Sequence, residues 1–205
     1  MKVGLILECQ PGGADSTVYP YVIKRICKKL NIEKAETLVH KKRLINEGPE
    51  VAQGLIEIDN CDYVFFIWDR KPRWEDKLGN CQTDSDKITA SLQRLGVDTN
   101  KIFLCCIDEE LESWIISDSR GFMDWIRSKT NHALPEFGDH KKKTEQSAPK
   151  NRIKNYLKNH YPTWNYDDIK DNIKIVERLP DFDRAARWNT SFSFLKESVK
   201  AICPE

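Results

Sequence analysis

Acidic side chains follow three predicted strands at the point where each strand ends. Glu8 follows an apolar run at residues 2–7, Asp69 follows a second run, and a group of acids follows a third. The acids after the third run are Asp108, Glu109, Glu110 and Glu112. Because parallel strands end at the same edge of a sheet, we expect these carboxylates to meet there. Carboxylate oxygens are ligands for Mg²⁺ and Mn²⁺, and a cation held in this way can place a phosphodiester beside an activated water.

Each of these acids also has a purely structural interpretation. An acid at a strand end often forms a turn or caps the next helix. Glu109 and Glu110 also suit the first turn of a helix, because the helix dipole favours negative charge there. Spacing alone therefore leaves open both a metal site and a set of turn and helix-start residues.

The pattern of apolar residues predicts the elements that would position these acids. In the first 120 residues, short apolar runs alternate with segments of helical spacing, the first of which Asp15-Ser16-Thr17 can cap. Apolar strands that alternate with helices are typical of an α/β fold, with a mostly parallel central sheet and helices on both faces. The predicted strands are residues 2–7, 35–40, 62–68 and 102–107, and the main predicted helices lie at 50–58, 87–95 and 108–117.

The alternation stops after residue 120, which predicts a change in organisation. Residues 133–150 contain turn residues and charges without periodicity, and this indicates a flexible surface loop. Residues 121–129 could continue as helix, and residues 151–159 and 183–202 have helical composition. The expected organisation is an α/β domain at 1–132, a flexible loop at 133–150, and a helical C-terminal appendage at 151–205 that packs on the first domain.

Composition excludes several classes of protein. The 33 basic and 32 acidic residues give a formal charge of +1, so any nucleic-acid contact has to come from local patches. The longest apolar runs fall far short of the roughly 18 residues that a membrane helix needs, so no membrane association is expected. Cys105 and Cys106 adjoin inside an apolar run, which predicts buried reduced thiols and a cytoplasmic location.

Several short motifs resemble the Toprim domain, the metal-binding fold of topoisomerases, primases and OLD-type nucleases. They are similar in particular to a family of small bacterial Toprim-like proteins that are often encoded beside an ATPase. The most specific motif is Glu-x-Trp followed by two apolar residues and a polar Asp or His. The matching segments are Leu-Ile-Leu-Glu at 5–8, Tyr-Val-Phe-Phe-Ile-Trp-Asp at 63–69, Glu-Leu-Glu-Ser-Trp-Ile-Ile-Ser-Asp at 110–118, and Arg187 with Ser-Phe-Ser-Phe-Leu at 191–195.

The resemblance implies a metal-dependent enzyme that cleaves or nicks DNA or RNA, with Mg²⁺ or Mn²⁺ as its cofactor. It implies that Glu8, Asp69 and Glu112 are the catalytic acids that hold the metal, and that Glu8 is also a candidate for general acid–base chemistry. It further implies a bacterial defence or mobile-element setting and an ATPase partner.

One residue departs from the Toprim pattern. The family has Asp-x-Asp after the third strand, whereas Lys71 replaces the second acid here. Glu110, Asp76 or Asp118 could supply the missing metal ligand, and we favour Glu110. The replacement also leaves open a catalytically degenerate module that binds a partner ATPase. A small-phosphoester hydrolase on a similar sheet is a third alternative.

Two basic clusters lie next to predicted strand ends. They comprise Lys41, Lys42 and Arg43, and Arg70, Lys71 and Arg73. Trp74 adjoins the second cluster, and basic side chains beside an aromatic ring can grip a phosphate backbone and stack a base. Both clusters are candidate nucleic-acid contacts, and the alternative is a solvated loop.

Overall fold

The computed structural model describes residues 1–70, 80–130 and 133–204. Four strands and nine α-helices occupy this part of the chain, and a 3₁₀ turn at Thr99–Lys101 leads into the last strand. The strands are β1 (Lys2–Leu7), β2 (Asn31–Thr37), β3 (Tyr63–Asp69) and β4 (Ile102–Ile107). The helices are α1 (Ala14–Ile26), α2 (Lys41–Glu57), α3 (Cys81–Arg94), α4 (Glu112–Ser117), α5 (Arg120–Arg127), α6 (Pro149–His160), α7 (Asp168–Glu177), α8 (Asp183–Trp188) and α9 (Thr190–Ala201).

The strands form one all-parallel sheet in the order β2-β1-β3-β4. At the carboxyl ends, Leu7 of β1 lies opposite Ile67 of β3, and Asp69 of β3 lies opposite Ile107 of β4. The chain places β2 on one side of β1 and then places β3 on the other side. The position at which the strand order reverses, which we call the switch point, therefore lies between the carboxyl ends of β1 and β3. The predicted α/β fold with a parallel sheet and helices on both faces is confirmed.

Alternate side chains of the strands build a core on each face of the sheet. Leu5 and Phe65 belong to the larger core, which α1 and α4 to α9 complete. Ile6 and Phe66 belong to the smaller core, beneath α2 and α3. This alternation follows from the two-residue period of a strand.

β2 is the outer strand beside β1 among the described strands. Its residues are mostly exposed or half-buried, and Lys34 Nζ lies 2.7 Å from Glu36 Oε1 within the strand. This edge of the sheet is therefore charged rather than apolar.

The C-terminal helices pack directly on the sheet domain. Both α7 and α9 contact α1, and α9 also contacts β4. Gly121 of α5 permits the close approach of α7, because a Cβ at this position would clash with the carbonyl oxygen of Ile175. A disulfide between Cys27 and Cys203 joins the end of α1 to the C-terminal residues. Core residues before and after 133–150 therefore form one cluster.

The helical pattern misses one element and merges two others. α7 is not predicted, although Asp167 caps it by accepting hydrogen bonds from the amides of Ile169 and Lys170. The helix expected at 183–202 is instead α8 and α9, because the Asn189 side chain accepts a 3.0 Å hydrogen bond from the Phe192 amide and starts a new helix.

The prediction of two reduced thiols in β4 is correct for Cys105 and wrong for Cys106. Cys105 is a buried free cysteine, whereas Cys106 forms a disulfide with Cys81, the first residue of α3. The apolar run could not show this, because the pairing depends on where α3 begins. No helix in the described ranges is both long and apolar enough to cross a membrane.

Candidate functional site

A cavity of about 270 Å³ opens at the switch point, beyond the carboxyl ends of β1 and β3. Open parallel sheets commonly bind their ligands at this place. We call it the acidic cavity, because five carboxyl side chains and one lysine are among its lining residues. They are Asp15, Asp69, Glu110, Glu112, Asp168 and Lys150.

Asp69 ends β3 and lines the acidic cavity. Its amide donates a hydrogen bond of 3.1 Å to Glu8 Oε2, so Glu8 and Asp69 lie side by side as the strand ends predict. Oδ1 of Asp69 is buried and has no hydrogen-bond partner among the described residues. Burial raises the pKa of Asp69 well above its usual range, and Asp15 and Glu8 raise it further. Glu8 itself is not among the lining residues and contacts the backbone of Asp69 instead.

Asp15 is a cavity residue to which the sequence interpretation gives no chemical role. It lies in the first turn of α1, whose N-cap is Gly13, so it does not cap the helix as expected. Burial, followed by the charge of Glu112, raises the pKa of Asp15 to about 7. Its position shortly after β1 places it at the same sheet edge as Glu8, and this is the signal that could have identified it.

Glu112, the first residue of α4, is 2% exposed. Its Oε1 accepts hydrogen bonds from Tyr166 Oη at 3.1 Å and from Asn172 Nδ2 at 3.0 Å. Asn172 belongs to α7, so the helix that the sequence pattern misses orients one of the predicted acids.

The segments at 110–118 and 191–195, both of which carry the Toprim resemblance, contact each other. Trp114, of the Glu-x-Trp motif, donates its indole N–H to Ser191 Oγ at 3.0 Å. Its ring packs edge-on against Phe192, with ring centroids 4.7 Å apart. The contact joins α4 to α9 and fixes the start of α4.

Lys150 supplies the positive charge of the acidic cavity. Its Nζ lies 2.7 Å from Asp168 Oδ2, 3.5 Å from Glu112 Oε1 and 3.7 Å from Glu110 Oε2. Burial lowers the pKa of Lys150, but Glu112 and Asp168 outweigh it and raise the pKa above the usual value. The ammonium group therefore stays charged and draws three carboxylates together. Burial and the charge of Glu112 raise the pKa of Glu110.

Four helices begin at the wall of this cavity. Asp15, Glu112, Lys150 and Asp168 lie in the first turns of α1, α4, α6 and α7. The amino end of a helix carries partial positive charge, which favours nearby carboxylates. The fold thus offsets part of the charge that it concentrates here.

Lys41, a predicted nucleic-acid contact, is a structural residue. It is 3% exposed, its Nζ donates to the carbonyl oxygen of Arg70 at 2.9 Å, and it lies 3.2 Å from Asp84 Oδ2. A phosphate backbone cannot reach a side chain buried in this way, so the sequence prediction for Lys41 is corrected. Basic character alone could not distinguish this residue from its neighbours.

The other predicted nucleic-acid contacts differ in whether a nearby acid already pairs with them. Arg70 Nη2 lies 2.6 Å from Glu109 Oε1, and Nε lies 3.3 Å from Asp108 Oδ1, so its charge is already matched. Arg43 pairs with Glu47 on the exposed side of α2, and Lys42 is exposed. Lys71 and Arg73 lie outside the described residues.

The donor set of the acidic cavity suits a hard cation, because its charged donors are carboxylate oxygens. Within the described ranges, no group of three Asp, Glu, His or Cys side chains is arranged to hold a metal ion. Mg²⁺ does not need such a cage, since one or two carboxylates with water and substrate phosphates often suffice. Asp69, with its unpartnered oxygen, and its neighbour Asp15 fit a site of this open kind.

Comparison of the chain with protein-family models, curated proteins and solved structures found no match. The Toprim resemblance therefore rests on the sequence motifs alone.

Proposed function

We propose that the chain is a divalent-metal-dependent enzyme that cuts or nicks nucleic acid, in a Toprim-like manner. Asp69 provides the main support: a buried carboxyl oxygen without a described partner lies at the switch point, in a cavity with five carboxyl groups and one lysine. Buried negative charge is unfavourable unless protons or cations offset it. A divalent cation would satisfy both the oxygen and the charge.

In this proposal, Asp69 and Asp15 hold Mg²⁺ or Mn²⁺, and Glu8 fixes the backbone of Asp69. The bound cation would polarise a phosphate oxygen and lower the pKa of a bound water. Lys150 supplies a second positive charge for the phosphate in the transition state. Glu112, held by Tyr166 and Asn172, positions Lys150.

Plasmid nicking with Mg²⁺ or Mn²⁺ tests the proposal. We expect Asp69→Asn to abolish nicking and the Mn²⁺-induced rise in melting temperature, while the variant stays folded. Asp86→Asn is the matched control, because Asp86 is exposed on α3, on the other face of the sheet. Wild-type protein that neither nicks DNA or RNA nor responds to Mn²⁺ would refute the proposal.

A second candidate is a non-catalytic module that binds a partner ATPase in a bacterial defence or mobile-element system. The contacts of Lys150 favour it, because a built-in cation already neutralises part of the acidic cavity. For this candidate we expect no nicking, no Mn²⁺ response, and unchanged ATPase binding in Asp69→Asn.

A cytoplasmic location is also a proposal, and the cysteines test it. The structure pairs Cys27 with Cys203 and Cys81 with Cys106. Reducing compartments keep such pairs as thiols. Acid quenching of native cells, denaturation and then alkylation of all seven cysteines, detected by mass spectrometry, would support the cytoplasm. Protected pairs would argue against it.

A further inference from the structure

A second cavity of about 450 Å³ lies beside α6. We call it the basic groove, and its walls are Lys154, Leu157 and Lys158 of α6 together with residues 162–166. Two lysines and no carboxyl side chain are among these lining residues. Its charge is therefore opposite to that of the acidic cavity.

One face of α6 connects the two cavities. Lys150, Lys154 and Lys158 recur every four residues, so they lie along one side of the helix at steps of about 6 Å. Lys150 lines the acidic cavity, and the other two line the basic groove. Both groove lysines are exposed and neither forms a close ion pair with a described residue, although the charge of Lys154 also helps to lower the pKa of Asp168.

Trp164 gives the basic groove an aromatic wall. The ring is half-buried, and Lys129 Nζ lies 5.1 Å from its centroid, which adds a third positive charge nearby. The indole Nε1 is buried, so the part of the ring that remains exposed, and not this nitrogen, is available to a ligand. A partly exposed aromatic ring beside two lysines suits a ligand that combines flat rings with negative charge.

Tyr166 joins the groove to the acidic cavity. It lines the groove, and its hydroxyl donates to Glu112 Oε1 at 3.1 Å. A chain that occupies the groove therefore lies beside the wall of the acidic cavity that Glu112 forms.

We infer that the basic groove binds single-stranded nucleic acid, with phosphates on Lys154 and Lys158 and a base against Trp164. Proteins that bind single strands combine a basic track with aromatic rings in this way. The inference rests on the proposed function for its biological purpose, but the binding itself needs no metal. It assigns phosphate contact to lysines other than the buried Lys41.

Fluorescence anisotropy with a labelled oligothymidylate, in buffer containing EDTA, measures binding apart from cleavage. We expect the Lys154→Gln/Lys158→Gln double variant to bind about tenfold more weakly than wild type. Its plot of log affinity against log salt should be shallower by about 1.4, at about 0.7 for each lost phosphate contact. The matched control is Lys28→Gln/Lys29→Gln, whose exposed lysines follow the carboxyl end of α1, away from both cavities.

Equal binding and salt dependence in wild type and the double variant would overturn the inference. Equally tight binding of a polyglutamate peptide would also overturn it, because the groove would then be a general anion surface. Oligothymidylate binding without nicking in Mn²⁺ would support nucleic-acid binding by the groove and refute the proposed nuclease function. Nicking with an unchanged KM in the double variant would support the nuclease function and refute binding by the groove.

Discussion

The side-chain amide of Asn172 donates a hydrogen bond of 3.0 Å to Oε1 of Glu112, and the two residues are 1% and 2% exposed. Tyr166 donates to the same oxygen at 3.1 Å. Two donors from the C-terminal part of the chain therefore satisfy an acid at the start of α4. Such a contact makes the position of the acid depend on correct packing of α7.

Removal of this donor is expected to destabilise the protein. Asn172→Ala leaves a buried carboxylate oxygen with one donor fewer and should lower the free energy of unfolding by about 1–3 kcal/mol. Urea denaturation followed by circular dichroism measures the change. Asn155→Ala, on the exposed side of α6, is the control and should stay within about 0.5 kcal/mol of wild type. Equal losses in both variants would contradict the role of this bond.

Asp15 is expected to make stability fall as the pH rises towards neutrality. Burial and Glu112 raise its folded pKa to about 7, from 3.8 for the ordinary group. Between these values the folded state binds more protons than the unfolded state, so each rise in pH favours unfolding. In EDTA, the stability advantage of Asp15→Asn over wild type should grow by at least about 1 kcal/mol from about pH 4.5 to about pH 7.5.

The same denaturation series on Asp86→Asn controls for the change of an acid to an amide. Its difference from wild type should stay constant over this pH range, since Asp86 is exposed. A constant difference for Asp15→Asn as well would show that Asp15 does not titrate abnormally.

Lys150→Gln is expected to leave excess negative charge in the acidic cavity. Loss of the ammonium leaves Glu110, Glu112 and Asp168 without their shared cation and should cost about 1–3 kcal/mol of stability in EDTA. Mn²⁺ should then raise the melting temperature more in the variant than in wild type, because a cation can enter the vacated position. Lys174→Gln, an exposed lysine of α7 at 4.0 Å from Asp171, is the control. If both variants respond to Mn²⁺ like wild type, Lys150 does not compete with a metal.

Gly121→Ala is expected to separate α5 from α7. The added Cβ would clash with the carbonyl oxygen of Ile175 and touch Leu179, so one helix must shift at a cost of about 1–3 kcal/mol. Gly54→Ala in α2 is the control, because nothing lies within 4 Å of its added Cβ, and it should stabilise by roughly 0.5–1 kcal/mol. Calorimetric melting of the two variants gives the comparison, and a shift of the same sign in both would contradict the tight contact.

Strands with a continuous apolar run were predictable, and the charged outer strand β2 was less so. β4 is observed at the predicted residues 102–107, because its run is continuously apolar. β2 is observed at Asn31–Thr37 and was expected at 35–40, since charged residues such as Lys34 weaken its apolar pattern. α7 was missed although Ile169, Ile173 and Val176 have helical spacing and Asp167 caps the helix, so the sequence did contain a signal for it.

The sequence predicts only those residues of the candidate site that come shortly after a strand. Asp69 and Glu112 follow strands, and parallel strands share an edge, so their presence at one cavity could be expected. Lys150 and Asp168 reach the cavity through the packing of α6 and α7, which no local pattern encodes. Because both residues lie far from β4 in the sequence, only the tertiary structure shows that they line the cavity.

The exposed edge of β2 also affects how molecules of this protein meet one another. An open strand edge offers unpaired amide and carbonyl groups to any second chain, which is a common start of aggregation. The ion pair of Lys34 with Glu36 places charge along that edge, where an incoming strand would have to desolvate it. Replacement of both residues by threonine would therefore remove the charge that keeps a second chain from pairing with β2. We expect the variant protein to aggregate at high concentration, which turbidity would show.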